Sequence, residues 1–230
     1  MKNIKKIIII GASDFGREVL WTIHDCNAVT KQFDILGFVD DNENLKNLSV
    51  KNIPILGNMK WLLSSDEKDF GCVVAIGDSK RKQVIVKSLE ENGFYFPNII
   101  SPTANLNEDV KLGNGVIIQH GTIVSVDVKI GNHVYINYNC TIGHDCLIND
   151  FATLAPGTQI NGGCVIDERV YIGSGAITKN DIKIGKDSVI GAGSIVSKDL
   201  PEKSMCFAAS GILKNFKPWL FFDNILVISY

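Results

Sequence analysis

His144 stands between Gly143 and Asp145, so an imidazole sits beside a carboxylate where the chain is expected to turn. An imidazole of ordinary pKa, about 6.5, is partly a free base at neutral pH, and a neighbouring carboxylate orients it and raises its basicity. The pair therefore suits general-base chemistry, although a solvated histidine at a corner has the same local sequence. Of the other histidines, His24 falls in the first expected helix and reads as structural. His120, His133 and His144 do not recur at a common spacing, so a three-histidine zinc site, or any metal, is not expected. The six cysteines form no CxxC pair, and Cys140, Cys146 and Cys164 fall on small inward positions as buried, reduced packing groups.

A second candidate lies near the start. Ile7, Ile8, Ile9 and Ile10 lead into Gly11-x-Ser13-x-x-Gly16 and then a helical pattern. A strand, tight turn and helix would aim backbone amides at a phosphate. With Ser13 in place of the second glycine of a dinucleotide fingerprint, an ordinary strand-to-helix turn fits equally well. Further apolar runs at 35–39 and 72–76 end in Asp40-Asp41 and Gly77-Asp78, and a helix is expected over 80–92. Alternating strands and helices imply a small parallel α/β sheet of Rossmann type, whose ligands sit beyond the carboxyl ends of its strands. Residues 94–100 read as a return to strand.

The element that must position His144 is a repeat. Large aliphatics recur every six residues from Leu112 through Ile118, Val124, Ile130 and onward to Ile172, resuming at Ile184, Ile190 and Val196. A smaller residue precedes each by two, and Gly, Asn or Asp follows many by one, as at Gly131, Asn137, Gly143 and Gly173. A period of six fits neither a helix nor a hairpin sheet; it fits short strands separated by corners, where those residues are expected to adopt left-handed dihedrals. Three sides of six make a coil of eighteen, giving about five coils stacked about 4.8 Å apart. Residues eighteen apart then share an edge. Gly162 should neighbour His144, and Pro156, Ser174 and Ala192 should line another edge with a small-residue groove, although corners are commonly small in any case.

The whole chain sets limits. With 45% hydrophobic residues and a formal charge of −2, it can build substantial cores and carries no electrostatic footprint for nucleic acid or anionic lipid. The opening residues do not read as a signal peptide, which points to the cytoplasm, and the apolar end over 212–230 is too interrupted to span a membrane. That end is expected to pack on a neighbouring coil or subunit. Pro97 and Pro102 mark a change of pattern, so three segments are expected: a Rossmann-like domain over 1–100, a β-helix over 101–205 and a tail over 206–230.

Gly11-Ala-Ser-x-x-Gly16, Gly37-Phe-Val-Asp-Asp41, Ala75-Ile-Gly-Asp78, and the run from Ile136-Asn137 through His144-Asp145 to Ala155-Pro-Gly157 together resemble one family. It is that of the bacterial sugar acetyltransferases of the NeuD and PglD type, over about residues 5 to 200. The resemblance implies a left-handed parallel β-helix, a homotrimer, and acetyl transfer from acetyl-CoA to an amino sugar linked to a nucleotide. It implies His144 as general base, Asp145 as its acidic partner, a Gly162 amide for the thioester oxygen, and Ser174 and Ala192 lining the CoA groove. Ser13, Asp14, Phe15, Asp40, Asp41 and Gly77 match positions that hold the nucleotide-sugar, and Asn137 matches one near the acceptor amine. O-acetylation of a sugar of the sialic-acid type would use the same parts, and a non-catalytic nucleotide-sugar-binding protein would keep the scaffold.

Three departures stand out. Thr153 replaces a second histidine near the thioester, Asp14-Phe15 replaces a smaller residue and its neighbour, and Ala208-Ala209-Ser210-Gly211 stands where a Gly-x-Pro-Ala segment is expected.

Overall fold

The computed structural model describes residues 4–208 and 226–227. The chain divides into two compact units, residues 1–104 with 113–120, and residues 105–112 with 121–230.

The first unit is α/β. Its elements are β1 (Lys5–Ile10), α1 (Asp14–Val29), β2 (Phe33–Val39), β3 (Ser49–Val50), β4 (Ile53–Gly57), α2 (Met59–Leu63), β5 (Gly71–Val74) and α3 (Ser79–Glu91). The sheet order is β3-β4-β2-β1-β5, parallel except for the short β3–β4 pair. Ile7, Ile8, Ile9 and Ile10 are all buried, as a central parallel strand covered on both faces requires. Two expectations change here. Residues 94–100 add no strand to this sheet beyond a single bridge between Tyr95 and Gly71, because Pro97 has no N–H to extend a ladder. Ile99–Ile100 pairs instead with Ile117–Ile118. β4 was not foreseen, because Pro54 interrupts its apolar pattern; its neighbours Ile53 and Ile55 are half-buried and buried.

The second unit is the β-helix that the repeat implied, with the left hand that the family resemblance implied. One face stacks six two-residue strands from Asn105–Leu106 to Ile195–Val196, and a second stacks five from Lys111–Leu112 to Lys183–Ile184. A third face runs Tyr135–Ile136, Thr153–Leu154, Tyr171–Ile172, Val189–Ile190 and Ser204–Cys206. Every pairing is parallel, and from coil to coil the partners are eighteen apart, as in Thr141 with Gln159, until the last pairing, where Val189 meets Met205 sixteen residues on. The aliphatic residue of each strand faces inward: Ile142, Ile148, Leu154, Ile160 and Ile166 are at most 2% exposed. The residue before it faces outward, so Ile123 and Ile195 are 50% and 67% exposed.

Cys140, Cys146 and Cys164 do lie among the inward small residues, and burial pushes the Cys140 thiol up to about 11. A thiol in that state packs and does not react. Of the apolar end, only Leu226–Val227 lies within the described residues, paired in parallel with Ser204 and Met205; the rest of 212–230 lies outside them, as does most of the tail.

The corners correct the expectation for their glycines. Left-handed φ recurs every six residues at Asp127, His133, Asn139, Asp145, Phe151, Gly157, Gly163 and Arg169, two residues beyond the glycines the repeat drew attention to. Those glycines answer to close approach. A Cβ on Gly143 would lie 2.5 Å from the Gly162 nitrogen, and one on Gly173 would lie 2.6 Å from the Ala192 nitrogen. Successive coils meet there backbone to backbone.

Candidate active site

The coil repeat gives the second unit three edges of different character. Along the first, the carbonyls of Val126, His144 and Gly162 accept from the amides of Asp145, Gly163 and Asp181 at 3.2, 2.8 and 3.0 Å. Along the second, those of Tyr138, Pro156 and Ser174 accept from Gly157, Gly175 and Gly193 at 2.8 to 2.9 Å. The third is ionic. Arg169 donates to both carboxylate oxygens of Asp187, at 2.8 and 2.7 Å, and Lys186 pairs with Glu168 at 2.7 Å.

His144 stands on the first edge with its side chain 59% exposed, and its Nδ1 lies 2.7 Å from Asp145 Oδ2. The left-handed φ of Asp145, 57°, belongs to the corner repeat and turns its carboxylate back towards the ring. Because a carboxylate only accepts, Nδ1 carries the proton and Nε2 keeps its lone pair. The ring lies over Gly162, where an added Cβ would come 2.5 Å from Nε2. Spacing by eighteen therefore places an oriented, accessible base directly against a glycine backbone. Among the described residues, the Gly162 amide donates to no protein acceptor.

Ser174 and Ala192 stack on the second edge, both exposed, and their amides likewise donate to no described acceptor. Cβ positions on Gly175 and Gly193 would meet nothing within 4 Å, so this edge is open along its length. Asn137 belongs to the same edge, but its Oδ1 already accepts from the Tyr138 amide at 2.8 Å. Thr153 sits on the third face, 4% exposed, in register between Tyr135 and Tyr171, and its Oγ1 is buried without a hydrogen-bond partner. A single chain thus gathers His144, Asp145 and Gly162 but leaves Asn137, Ser174 and Ala192 on another edge.

The remaining histidines are held elsewhere. His133 is buried and stacked on Phe151, with ring centroids 5.2 Å apart. His120 belongs to the first unit, where Nε2 lies 2.8 Å from Asp25 Oδ2 and the ring stacks on Trp21.

In the first unit, Gly11 makes the turn after β1 with φ +98°, and an added Cβ would meet the Ala75 carbonyl at 2.8 Å. Ser13 is the N-cap of α1, yet its side chain makes no capping bond, and the residue is exposed. Asp14 pairs with Arg17, and Phe15 is half-buried beside it. Asp40 has an internal role as well: Oδ2 accepts from the Ala12 amide at 2.8 Å and Oδ1 from Asn42 at 2.9 Å. Asp41 Oδ1 accepts from the Met59 amide at 2.9 Å. A Cβ on Gly77 would meet nothing within 4 Å. The turn, the aspartates and Gly77 all follow carboxyl ends of strands, where such sheets hold ligands.

Comparison with known proteins bears on both units. Residues 6–89 match the family model of the PglD N-terminal domain. The acetyltransferase domain of PglB from Neisseria gonorrhoeae FA1090, in complex with acetyl coenzyme A, superposes with a TM-score of 0.81 at 26% identity, covering 90% of this chain and 97% of that one. A histidine variant of perosamine N-acetyltransferase from Caulobacter crescentus, in complex with CoA and GDP-perosamine, gives 0.83 at 27% identity, covering 94% of this chain and 100% of that one. The chain is similar to sugar acetyltransferases of the NeuD/PglD type along most of its length. A third member-like structure, WeeI from Acinetobacter baumannii AYE, matches with a TM-score of 0.78 at 29% identity, covering 87% of this chain and 95% of that one. No curated protein sequence matches the chain.

Sequence reading missed one region of the first unit: a cleft of about 290 Å³ lined by Asp40, Asn42, Glu43 and Trp61 among others. Its signal was present in Trp61, an aromatic residue 43% exposed just after a capping Asn58. Among the described residues, no helix is long and apolar enough to cross a membrane.

Proposed function

We propose that the protein transfers the acetyl group of acetyl-CoA to the amino group of a nucleotide-linked amino sugar, with His144 as general base. The observation that carries this reading is the His144–Asp145 pair at 2.7 Å, exposed on an edge and lying against Gly162. The acceptor nitrogen attacks the thioester carbonyl carbon while Nε2 of His144 takes its proton. The C–S bond then breaks, the proton passes to the departing thiolate, and an amide and free CoA thiol result. Asp145 holds the tautomer and stabilises the imidazolium that forms between the two transfers. The Gly162 amide receives the developing oxyanion.

Ser174 and Ala192 line the pantetheine groove with free amides and small side chains, and Asn137 serves the acceptor; the Thr153 hydroxyl, buried on the third face, is not open to the thioester in a single chain. Because these residues lie on edges or a face away from His144, a site that uses all of them needs a second copy, which supports a homotrimer with composite sites. The first unit holds the nucleotide through Ser13, Asp14, Phe15, Asp40, Asp41 and Gly77, within a domain ending near residue 100. This reading takes the enzyme to be cytoplasmic.

Thiol release from acetyl-CoA, measured across UDP, dTDP and GDP amino sugars and their hydroxyl counterparts, tests this. Release that requires an amino sugar is the expected result. Release only with hydroxyl acceptors would move the reading to O-acetylation, and none with any acceptor would leave a binding protein.

A further inference from the structure

Just past the ends of β2 and β4, the first unit holds the cleft of about 290 Å³, and its polar groups are already sorted by internal bonds. Asn42 Oδ1 accepts from the Asn44 amide at 3.1 Å, and Asn58 Oδ1 accepts from the Trp61 amide at 3.0 Å. Each asparagine oxygen is thereby turned towards a backbone amide, which leaves each side-chain NH₂ as a donor for the cleft. Lys46 adds a third donor to the lining. Glu43 is the opposite case, since its carboxylate lines the cleft and has no hydrogen-bond partner among the described residues. One wall is aromatic: the Trp61 ring lies over Gly57, where an added Cβ would come 2.7 Å from it, and the indole remains 43% exposed.

A flat aromatic wall with polar groups at its rim fits a nucleobase, which stacks on such a surface whatever its identity. The rim decides which base. A carboxylate has two accepting oxygens and no donor, so it is best satisfied by two adjacent N–H groups. Guanine alone presents such a pair, N1–H beside the N2 amine. In adenine and cytosine the N–H group adjoins a ring-nitrogen lone pair, and in uracil and thymine it is flanked by carbonyls, so the second oxygen would face like charge. Guanine also offers O6 and N7 as neighbouring acceptors for amide or ammonium donors.

We infer that this cleft is a guanine subsite, with Trp61 as its stacking platform and Glu43 as the residue that sets base selectivity. The inference rests on the nucleotide-binding reading of the first unit and adds to it the identity of the base. It is tested by titrating the full chain with GDP, UDP, dTDP, ADP and CDP, followed by calorimetry. GDP is expected to bind at least about 10-fold more tightly than the others, since a hydrogen bond to a charged group contributes about 1.5 to 3 kcal/mol. Glu43→Gln should remove that preference by weakening GDP alone, whereas Trp61→Ala should weaken every nucleotide about equally. Glu43 is exposed and its side chain makes no hydrogen bond to the described residues, so its variant should fold as the parent does. If another diphosphate binds most tightly, or Glu43→Gln leaves the preference intact, the guanine assignment is overturned while the nucleotide reading survives. If none binds, both fall.

Discussion

In the β-helix unit every contact that orients His144 comes from residues one coil away or next in sequence: Gly162 beneath it, Gly163 bonded to its carbonyl, Asp145 beside it. In the α/β unit the corresponding work is done across unrelated distances, as when Asp40 holds the Ala12 amide twenty-eight positions away. A repeat places its chemistry by arithmetic; a sheet places it by topology. The cores differ in the same way. The β-helix fills its interior with aliphatics, thiols and hydroxyls at fixed positions, while the α/β unit buries a lysine, Lys82, at 3% exposure.

His144→Ala should break the comparison most sharply. It is expected to lower kcat by about 10² to 10⁴ while nucleotide binding by the first unit is unchanged, as steady-state kinetics and calorimetry on one preparation would show. A matching loss of nucleotide affinity would mean that the two units do not divide the work as described.

Next in size is a change to the repeat itself. Leu154→Ala empties a fully buried inward position and should cost about 2 to 5 kcal/mol in denaturant unfolding. Ile123→Ala removes an outward residue of the same kind, 50% exposed, and should change monomer stability by no more than about 0.5 kcal/mol. Equal effects would refute the inward and outward assignment.

Lys82 sharpens the contrast from the other side. Burial pushes its pKa down from 10.5 to about 7. Between those values the unfolded chain binds more protons than the folded one, so stability rises as pH climbs through that window. Lys82→Met should therefore remove this pH dependence, so that its stability relative to the parent is most favourable below pH 7 and declines towards pH 10.5. Thermal melts of both proteins at pH 6 and pH 10 would measure it.

The smallest difference separates two helix starts. Asp78 accepts from the Arg81 amide at 2.7 Å, whereas Ser13 makes no capping bond. Asp78→Ala should cost about 1 kcal/mol and Ser13→Ala nearly nothing; the Ser13 change should appear in nucleotide affinity instead.

These contrasts explain what could be read in advance. The period of six fixed which residues face inward and which share an edge, so Gly162 and His144 could be paired from sequence alone. The left-handed corner positions were misplaced by two residues, because a glycine excluded by a neighbouring backbone looks in sequence like a glycine needed for its dihedral; Gly143 is the former. In the first unit, β4 was hidden by Pro54, and the Glu43–Trp61 cleft depends on two segments meeting beyond strand ends that no local pattern connects. The separation of His144 from Ser174 and Ala192 was implicit in the spacing, but its consequence for assembly needed the edges to be laid out.

That separation gives the most direct test. His144→Ala removes the base from one edge and Ala192→Trp fills the groove on the other, so each variant alone should be inactive. If the copies assemble as the proposed trimer and mix at random, a site formed between neighbouring copies finds both intact halves in about one quarter of interfaces. Co-expressed variants should accordingly regain about a quarter of parental acetyl transfer; a mixture as inactive as either variant alone would contradict the composite site.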